Sequence, residues 1–313
     1  LHWSNKGIYL RPMKYSERSK NKEILKPKCR DALLQGLFYP ADAQELNEKL
    51  GRLLAQKTSD GVEPGLAEWA ENKTRIQTGE VRQGHVHAII SPHGSLDYSG
   101  NIAAAAWQSI GATQFDTVVL LGASHRAYEP GVFLSESDFF SVPGKDVPVD
   151  RVLTRDLVLS NTEFLENDIP HLEEQGLEMQ LVFIAKLLPD CKILPVIVSD
   201  VSSLMIDQLY ANLYFSLQGR LDSTLIVVSS NMAVNTDAVA CEKDTKVFVQ
   251  SILAGDDEAI DKQDNRDSSF CGSKLIAGFM RSRFSSGLQA SCLGISTSAS
   301  FAGGEDTAVG YAA

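Results

Sequence analysis

Three residues far apart in the chain have the chemistry of a metal site: His93, His125 and Cys271. His93 follows an apolar run, Ala88 to Ile90, that breaks at Ser91-Pro92 and leads through Gly94 into an Ala-rich stretch from Ile102 to Trp107. His125 closes a second such run, Thr117-Val-Val-Leu-Leu-Gly-Ala-Ser-His125. Each histidine therefore stands where a buried strand runs out into a loop, and in open α/β sheets the carboxyl ends of the strands form the ligand crevice. The third expected ligand is Cys271, in Ser-Ser-Phe-Cys271-Gly272, at the start of a predicted helix. A helix N-terminus favours thiolate over thiol. Two imidazoles and one anionic ligand leave positions open on iron or zinc, as activation of water or dioxygen requires. The competing structural reading makes each histidine a hydrogen-bonded polar residue and Cys271 a small core residue.

A second constellation is the acidic run Asp168-Ile-Pro-His171-Leu-Glu-Glu174-Gln175-Gly-Leu-Glu178. On one continuous helix, His171, Glu174 and Glu178 share a face. They are expected either to support metal ligands from behind or to form a solvated acidic face. The pair Ser229-Ser230 lacks the Gly-x-Ser-x-Gly turn that exposes a nucleophilic serine. No phosphate loop or dinucleotide fingerprint is present.

The elements that would position these residues read as alternating strands and helices. Strands are predicted at 86–90, 116–121, 193–198, 224–229, 290–296 and 309–312. A short β element is expected near Val132 and turn chemistry across Ser141 to Asp150. Leu33 to Pro40 reads as a short strand and turn. Helices are predicted over 41–57, 100–110, 151–160, 171–188, 202–217, 244–253 and 272–284, with a loop and some helix near Glu68 between Thr58 and Val81. Such alternation predicts an α/β fold: a central, mostly parallel sheet with helices on both faces. No linker divides residues 31–313, which are expected to form a single domain.

Composition sets the outer limits. No apolar run is long enough to span a bilayer. The five cysteines form an odd set without paired spacing, which favours free thiols in a reducing compartment, cytoplasmic or an organelle matrix such as the mitochondrial one. The net charge is -11, yet residues 1–30 hold nine Lys/Arg against Glu17 and Glu23, about +7, so the body carries about -18. An acidic body is a poor nucleic-acid binder. The basic arm 1–30 is expected to be either a solvated terminus or a docking arm for an acidic protein partner. An Arg-rich, acid-poor N-terminus also resembles a transit sequence, and the start at Leu1 suggests a trimmed product.

At these residues the chain resembles the Memo family, including the Memo-like component of AmmeMemoRadiSam systems, a family that shares its fold with class III extradiol dioxygenases. The markers run in order from Gly36-Leu-Phe-Tyr-Pro40 through Ser91-Pro-His93-Gly, Tyr98-Ser-Gly100 and Leu121-Gly-Ala-Ser-His125. They continue with Val142-Pro-Gly144, Val149-Asp150, His171, Glu174, Leu177-Glu178-Met-Gln-Leu and Leu194-Pro-Val-Ile-Val198. Val228-Ser-Ser230, Cys271-Gly272 and Val309-Gly-Tyr-Ala-Ala313 complete the set, while residues 1–30 fall outside it.

The resemblance implies a metal site on His93, His125 and Cys271, holding one iron, copper or zinc ion or surviving as a vestige. It also exposes departures. Where the family has Glu-His-Ser, this chain has Glu174-Gln175-Gly176. Where the family has Ser-Ser-Asp and then His, it has Ser229-Ser230-Asn231 and Val234. Gln cannot exchange a proton near neutral pH, Asn drops the charge of Asp, and Val removes hydrogen bonding. General acid/base catalysis is typically worth ~10²–10⁴ in rate. The expectation is a Memo-like pseudoenzyme acting as a structural or interaction subunit. The alternatives are residual redox or dioxygenase-like activity on a small molecule, and a peptide-binding signalling module.

Overall fold

The computed structural model describes residues 27–56, 85–126, 129–262, 270–300 and 307–313. Its strands are β1 (Cys29–Arg30), β2 (Ala88–Ser91), β3 (Thr117–Ala123), β4 (Gly131–Leu134), β5 (Phe139–Val142) and β6 (Lys145–Pro148). The others are β7 (Phe164–Glu166), β8 (Lys192–Ser199), β9 (Thr224–Ser229), β10 (Val234–Asn235), β11 (Ile295–Thr297) and β12 (Ala308–Ala312). The α-helices are α1 (Ala43–Ala55), α2 (Gly100–Gln108), α3 (Arg151–Ser160), α4 (Ile169–Glu173) and α5 (Gln175–Leu187). They continue with α6 (Ser203–Ser216), α7 (Ala238–Ala254), α8 (Asp257–Asp261) and α9 (Ser273–Arg281).

The main sheet has the order β2-β9-β3-β8-β4-β7. β2, β9, β3 and β8 pair in parallel, β4 runs antiparallel to β8, and β7 is parallel to β4. The mostly parallel sheet expected from the sequence is therefore present. Its central strands read as unbroken apolar runs because both of their faces are covered. Val118 to Leu121 are all 0% exposed, and successive side chains leave opposite faces. Val118 and Leu120 pack with Leu46 and Leu50 of α1, Trp107 of α2 and Phe183 of α5. Val119 and Leu121 pack with Leu153 of α3, Tyr210 of α6, Phe248 of α7 and Leu275 of α9. Full burial of one such side chain is worth about 1.5–3 kcal/mol. Two smaller sheets accompany the large one, β1-β5-β6 and β10-β12-β11.

Three differences from the sequence reading have physical causes. The helix expected over 171–188 is two helices. Glu174 breaks it with an extended backbone (φ -89°, ψ 121°) and caps α5 by accepting the Gly176 N–H. His171, Glu174 and Glu178 therefore do not lie on one helical face. Nor is the run solvated, because all three residues are buried. α7 begins at Ala238 rather than 244, because the Asp237 side chain accepts the Val239 N–H and caps it there. The turn-rich segment after Phe139 is a hairpin of β5 and β6, reversed at Gly144 with φ 82°.

The last residues of the basic arm also belong to the fold. Arg30 is 2% exposed and pairs with Phe140 in a parallel ladder. Lys28 bonds Glu136 and Asp168. Residues 1–26, and the helix expected near Glu68, lie outside the described residues. Among the described residues no helix is long and apolar enough to cross a membrane. All five cysteines are free thiols.

Candidate metal centre

Parallel pairing sets three strand ends level. Ser91 of β2 faces Ser229 of β9, which faces Gly122 of β3. Two residues past β2 stands His93, two past β3 stands His125, and two past β9 stands Asn231. The chain reaches Cys271 in the turn before α9. That turn requires Gly272, whose φ of 75° is left-handed and whose added Cβ would lie 3.2 Å from the Ser230 hydroxyl. Ser230 in turn donates to the Cys271 carbonyl.

The structure brings His93, His125 and Cys271 together, with one potential ligand atom from each within 4.8 Å of the others. The two imidazole centroids are 4.9 Å apart, and Cys271 Sγ lies 3.2 Å from His125 Nε2. His93 is 1% exposed, Cys271 is half-buried and His125 is exposed.

The hydrogen bonds decide which nitrogen of each ring can serve. Ser229 Oγ donates its single proton to the Gly176 carbonyl at 2.6 Å, so toward His93 Nδ1, 3.0 Å away, it can only accept. His93 Nδ1 therefore carries the proton, and Nε2 offers its lone pair. That Nε2 is buried and has no hydrogen-bond partner. His125 Nδ1 faces Glu174 Oε1 at 2.8 Å, and a carboxylate only accepts, so here too Nε2 is the outward nitrogen. Glu174 Oε2 also accepts the His125 backbone N–H at 2.9 Å. The Asn231 side-chain oxygen accepts the His93 N–H at 2.9 Å. A ring whose far nitrogen donates to a carboxylate or hydroxyl is the usual arrangement behind a metal-binding histidine.

Charge follows from this packing. Burial opposes the Cys271 thiolate, but His93 facing the sulfur and the His125 hydrogen bond outweigh it, so the thiol pKa is lowered. Burial likewise disfavours a charged His125, yet bonds to Cys271 and Glu174 raise its pKa. Glu174, despite burial, is held below the usual carboxylate range by His125. The result is a thiolate facing a protonated His125; once an ion displaces the Nε2 proton, the sulfur and two imidazole nitrogens make a soft-to-borderline donor set suited to zinc, copper or iron. The orphaned His93 nitrogen is the observation that an ion fits.

Behind the trio lies a layer in which Trp107, Gln180 and Arg30, given no role by the sequence reading, join Glu178, which was given one. Trp107 Nε1 donates to Gln180 Oε1, whose amide nitrogen bonds the Pro92 carbonyl at 2.9 Å and Ser229 Oγ at 3.1 Å. Arg30 donates to the His171 carbonyl at 2.9 Å and the Glu174 carbonyl at 3.0 Å, and pairs with Glu178. Of the acidic run, Glu174 alone touches the trio. Glu178 also accepts the Leu33 and Leu34 N–H groups and the Tyr39 hydroxyl, while His171 Nε2 donates to the Phe133 carbonyl. The available signal was polarity out of place: Glu178 and Gln180 interrupt the apolar run Leu177-x-Met179-x-Leu181.

Gln175 opens α5 between Glu174 and Gly176, and Val234 sits in β10 opposite Val309. A Cβ at Gly176 would come within 3.2 Å of His93 Nδ1, so this position leaves no room for the serine of the family pattern without a shift. Beside the trio a cleft of about 420 Å³ opens at the ends of β3 and β8, with Ser124, Arg126, Asp200, Gly272 and Lys274 in its walls.

Residues 30–313 match the family described as Memo, Memo-like protein. A MEMO1 family protein of Thermotoga sp. (strain RQ2) is 25% identical over 288 residues, covering 90% of this chain and 97% of the relative. One from Methanosarcina mazei is 27% identical over 290 residues, covering 91% and 97%. One from Desulfurococcus amylolyticus is 25% identical over 290 residues, covering 91% and 98%.

Proposed function

The chain belongs to the Memo-like protein family, and from that premise we propose that it is a metal-binding member that has given up catalysis and works as a structural or interaction subunit. The single observation that carries the metal reading is the buried, partnerless Nε2 of His93 beside Cys271 and His125. His93, His125 and Cys271 would hold one iron, copper or zinc ion, which when bound supplies Lewis acidity or redox capacity. Ser229 and Glu174 fix the ring orientations, and Cys271 supplies the negative charge. The proposed fold relation to class III extradiol dioxygenases is carried over from the family resemblance.

The loss of catalysis is inferred from what stands at 175, 231 and 234. Gln175 and Val234 move no proton at neutral pH, and Asn231 uses its side-chain oxygen on the His93 backbone. The proposed partner is an acidic protein surface. Lys28 and Arg30 are engaged within the fold, so the docking charge is assigned to residues 1–26, which hold seven Lys/Arg against two Glu. A free Cys271 thiol fits a reducing compartment, cytoplasm or organelle matrix.

The test is metal analysis of the purified full chain, followed by oxygen uptake with catechol-type substrates under added iron. The reading expects about one ion per chain, loss of it in Cys271→Ser, and no uptake above the background of that variant. Metal-dependent uptake by the unaltered chain would favour the second reading, residual dioxygenase-like activity. The adjoining cleft with Arg126 and Lys274 in its walls supports that reading.

A further inference from the structure

We propose that His85 and His87 form a second site, for a divalent late transition metal ion, at the opposite end of β2 from the trio. The two histidines flank Val86 on the chain entering β2. Residues two apart on an extended segment project to the same side. The rings do meet, with centroids 4.5 Å apart and planes at 68°. A metal–nitrogen bond of about 2.0–2.1 Å places two imidazoles on one ion with centroids roughly 4.5–5 Å apart. The trio's own imidazoles, at 4.9 Å, fall in the same range.

The pair is held in place. Val86 packs against the core on the α1, α2 and α5 face. The His87 carbonyl accepts the Ile226 N–H at 3.0 Å, and Phe115 backs the His85 ring at 5.6 Å. His85 is exposed and His87 half-buried, so an ion can arrive from solvent. Burial, then the neighbouring His85, lowers the pKa of His87, against the pull of Asp222. The ring is thus neutral, as a ligand must be. Among the described residues no third His, Cys, Asp or Glu joins the pair in a ligand cluster, so water completes the coordination. Imidazole ligation with open positions suits Zn(II), Ni(II) and Cu(II), with Cu(II) bound most tightly. The four residues of β2, at ~3.3 Å each, separate this site from the trio by more than any shared ion could span.

The experiment uses the full chain with the trio disabled, His125→Asn with Cys271→Ser, and with His2→Asn to remove the other histidine outside the described fold. The metal-stripped protein is titrated with Cu(II) by calorimetry, and the complex is examined by electron paramagnetic resonance. The expected result is one Cu(II) per chain with hyperfine coupling to two imidazole nitrogens. Adding His85→Asn weakens binding at least tenfold, and adding His85→Asn with His87→Asn abolishes that equivalent, with circular dichroism unchanged. No binding in the trio-disabled chain, or binding that survives loss of both histidines, overturns the proposal. Because the trio is absent throughout, the outcome is independent of the metal reading given above.

Discussion

Glu174 directs one carboxylate oxygen at the His125 ring and the other at the His125 backbone, while its own carbonyl is held by Arg30. Glu174→Gln keeps the shape and removes the charge that fixes the His125 proton on Nδ1. Substitutions at such supporting positions typically cost about 10–100-fold in metal affinity. We expect a loss of that size by competition titration, with the fold intact. His171 provides a second residue-level prediction. Burial pushes its pKa down to about 4, although the Phe133 carbonyl favours the charged form. The folded state therefore resists a proton that the unfolded chain accepts below about 6.5. Stability is full above that value and falls as the pH drops toward 4, by on the order of 3 kcal/mol. Asp168, held down to about 2 by Lys28 and the Ser135 and Ser137 hydroxyls against the effect of burial, loses its contribution only below about 3.9. Urea denaturation from pH 7 to 4 should show this slope, and His171→Gln should flatten it. A slope unchanged in the variant would refute the assignment.

At the scale of elements, the N-terminal boundary matters most. β1 is two residues long, yet Arg30 bonds the carbonyls on either side of the α4–α5 break and pairs with a fully buried Glu178. Removing one partner of a buried pair costs about 3–5 kcal/mol. Deleting residues 1–26 should leave the melting temperature nearly unchanged, whereas deletion through Arg30 should lower it sharply. Equal melting temperatures would show that Arg30 does not anchor the break. The sequence hides this element because Arg30 ends a cluster of charges that looks solvated. The break at Glu174 is equally hidden, since Glu is a good helix former and only the tertiary demand of His125 pulls it out of the helix. By contrast, β9 was legible to the residue. Thr224-Leu-Ile-Val-Val-Ser229 is β-branched, apolar and bounded by polar residues. The trio was legible through its place after such runs; Gln180 showed only as a polar residue inside an apolar run, which does not say what it holds, and Trp107 read as one more apolar residue of its helix.

For the whole molecule, the trio joins the loops after the edge strand β2 and the central strand β3 to the turn before α9, so one ion would tie both faces of the sheet. An ion bound only by the folded chain adds RT ln(1 + [L]/Kd), about 2.7 kcal/mol at a hundredfold excess over Kd. Zinc or iron should therefore raise the melting temperature in a concentration-dependent way. Cys271→Ser should abolish that rise while remaining folded without metal, because the two cores do not depend on the site.

The strand order has a consequence for synthesis. Among the described residues β2 lies at the edge of the main sheet and pairs there only with β9, more than a hundred residues downstream. A ribosome releasing the chain from the N-terminus exposes Ile89 and Ile90 long before Val227 and Val228 exist to receive them. Helices can form as they emerge, but this ladder must wait for a long-range closure, the slow kind. His93 stays adrift until then, and Cys271 arrives later still. The nascent chain therefore has a long interval in which a chaperone, rather than a metal ion, is its natural companion.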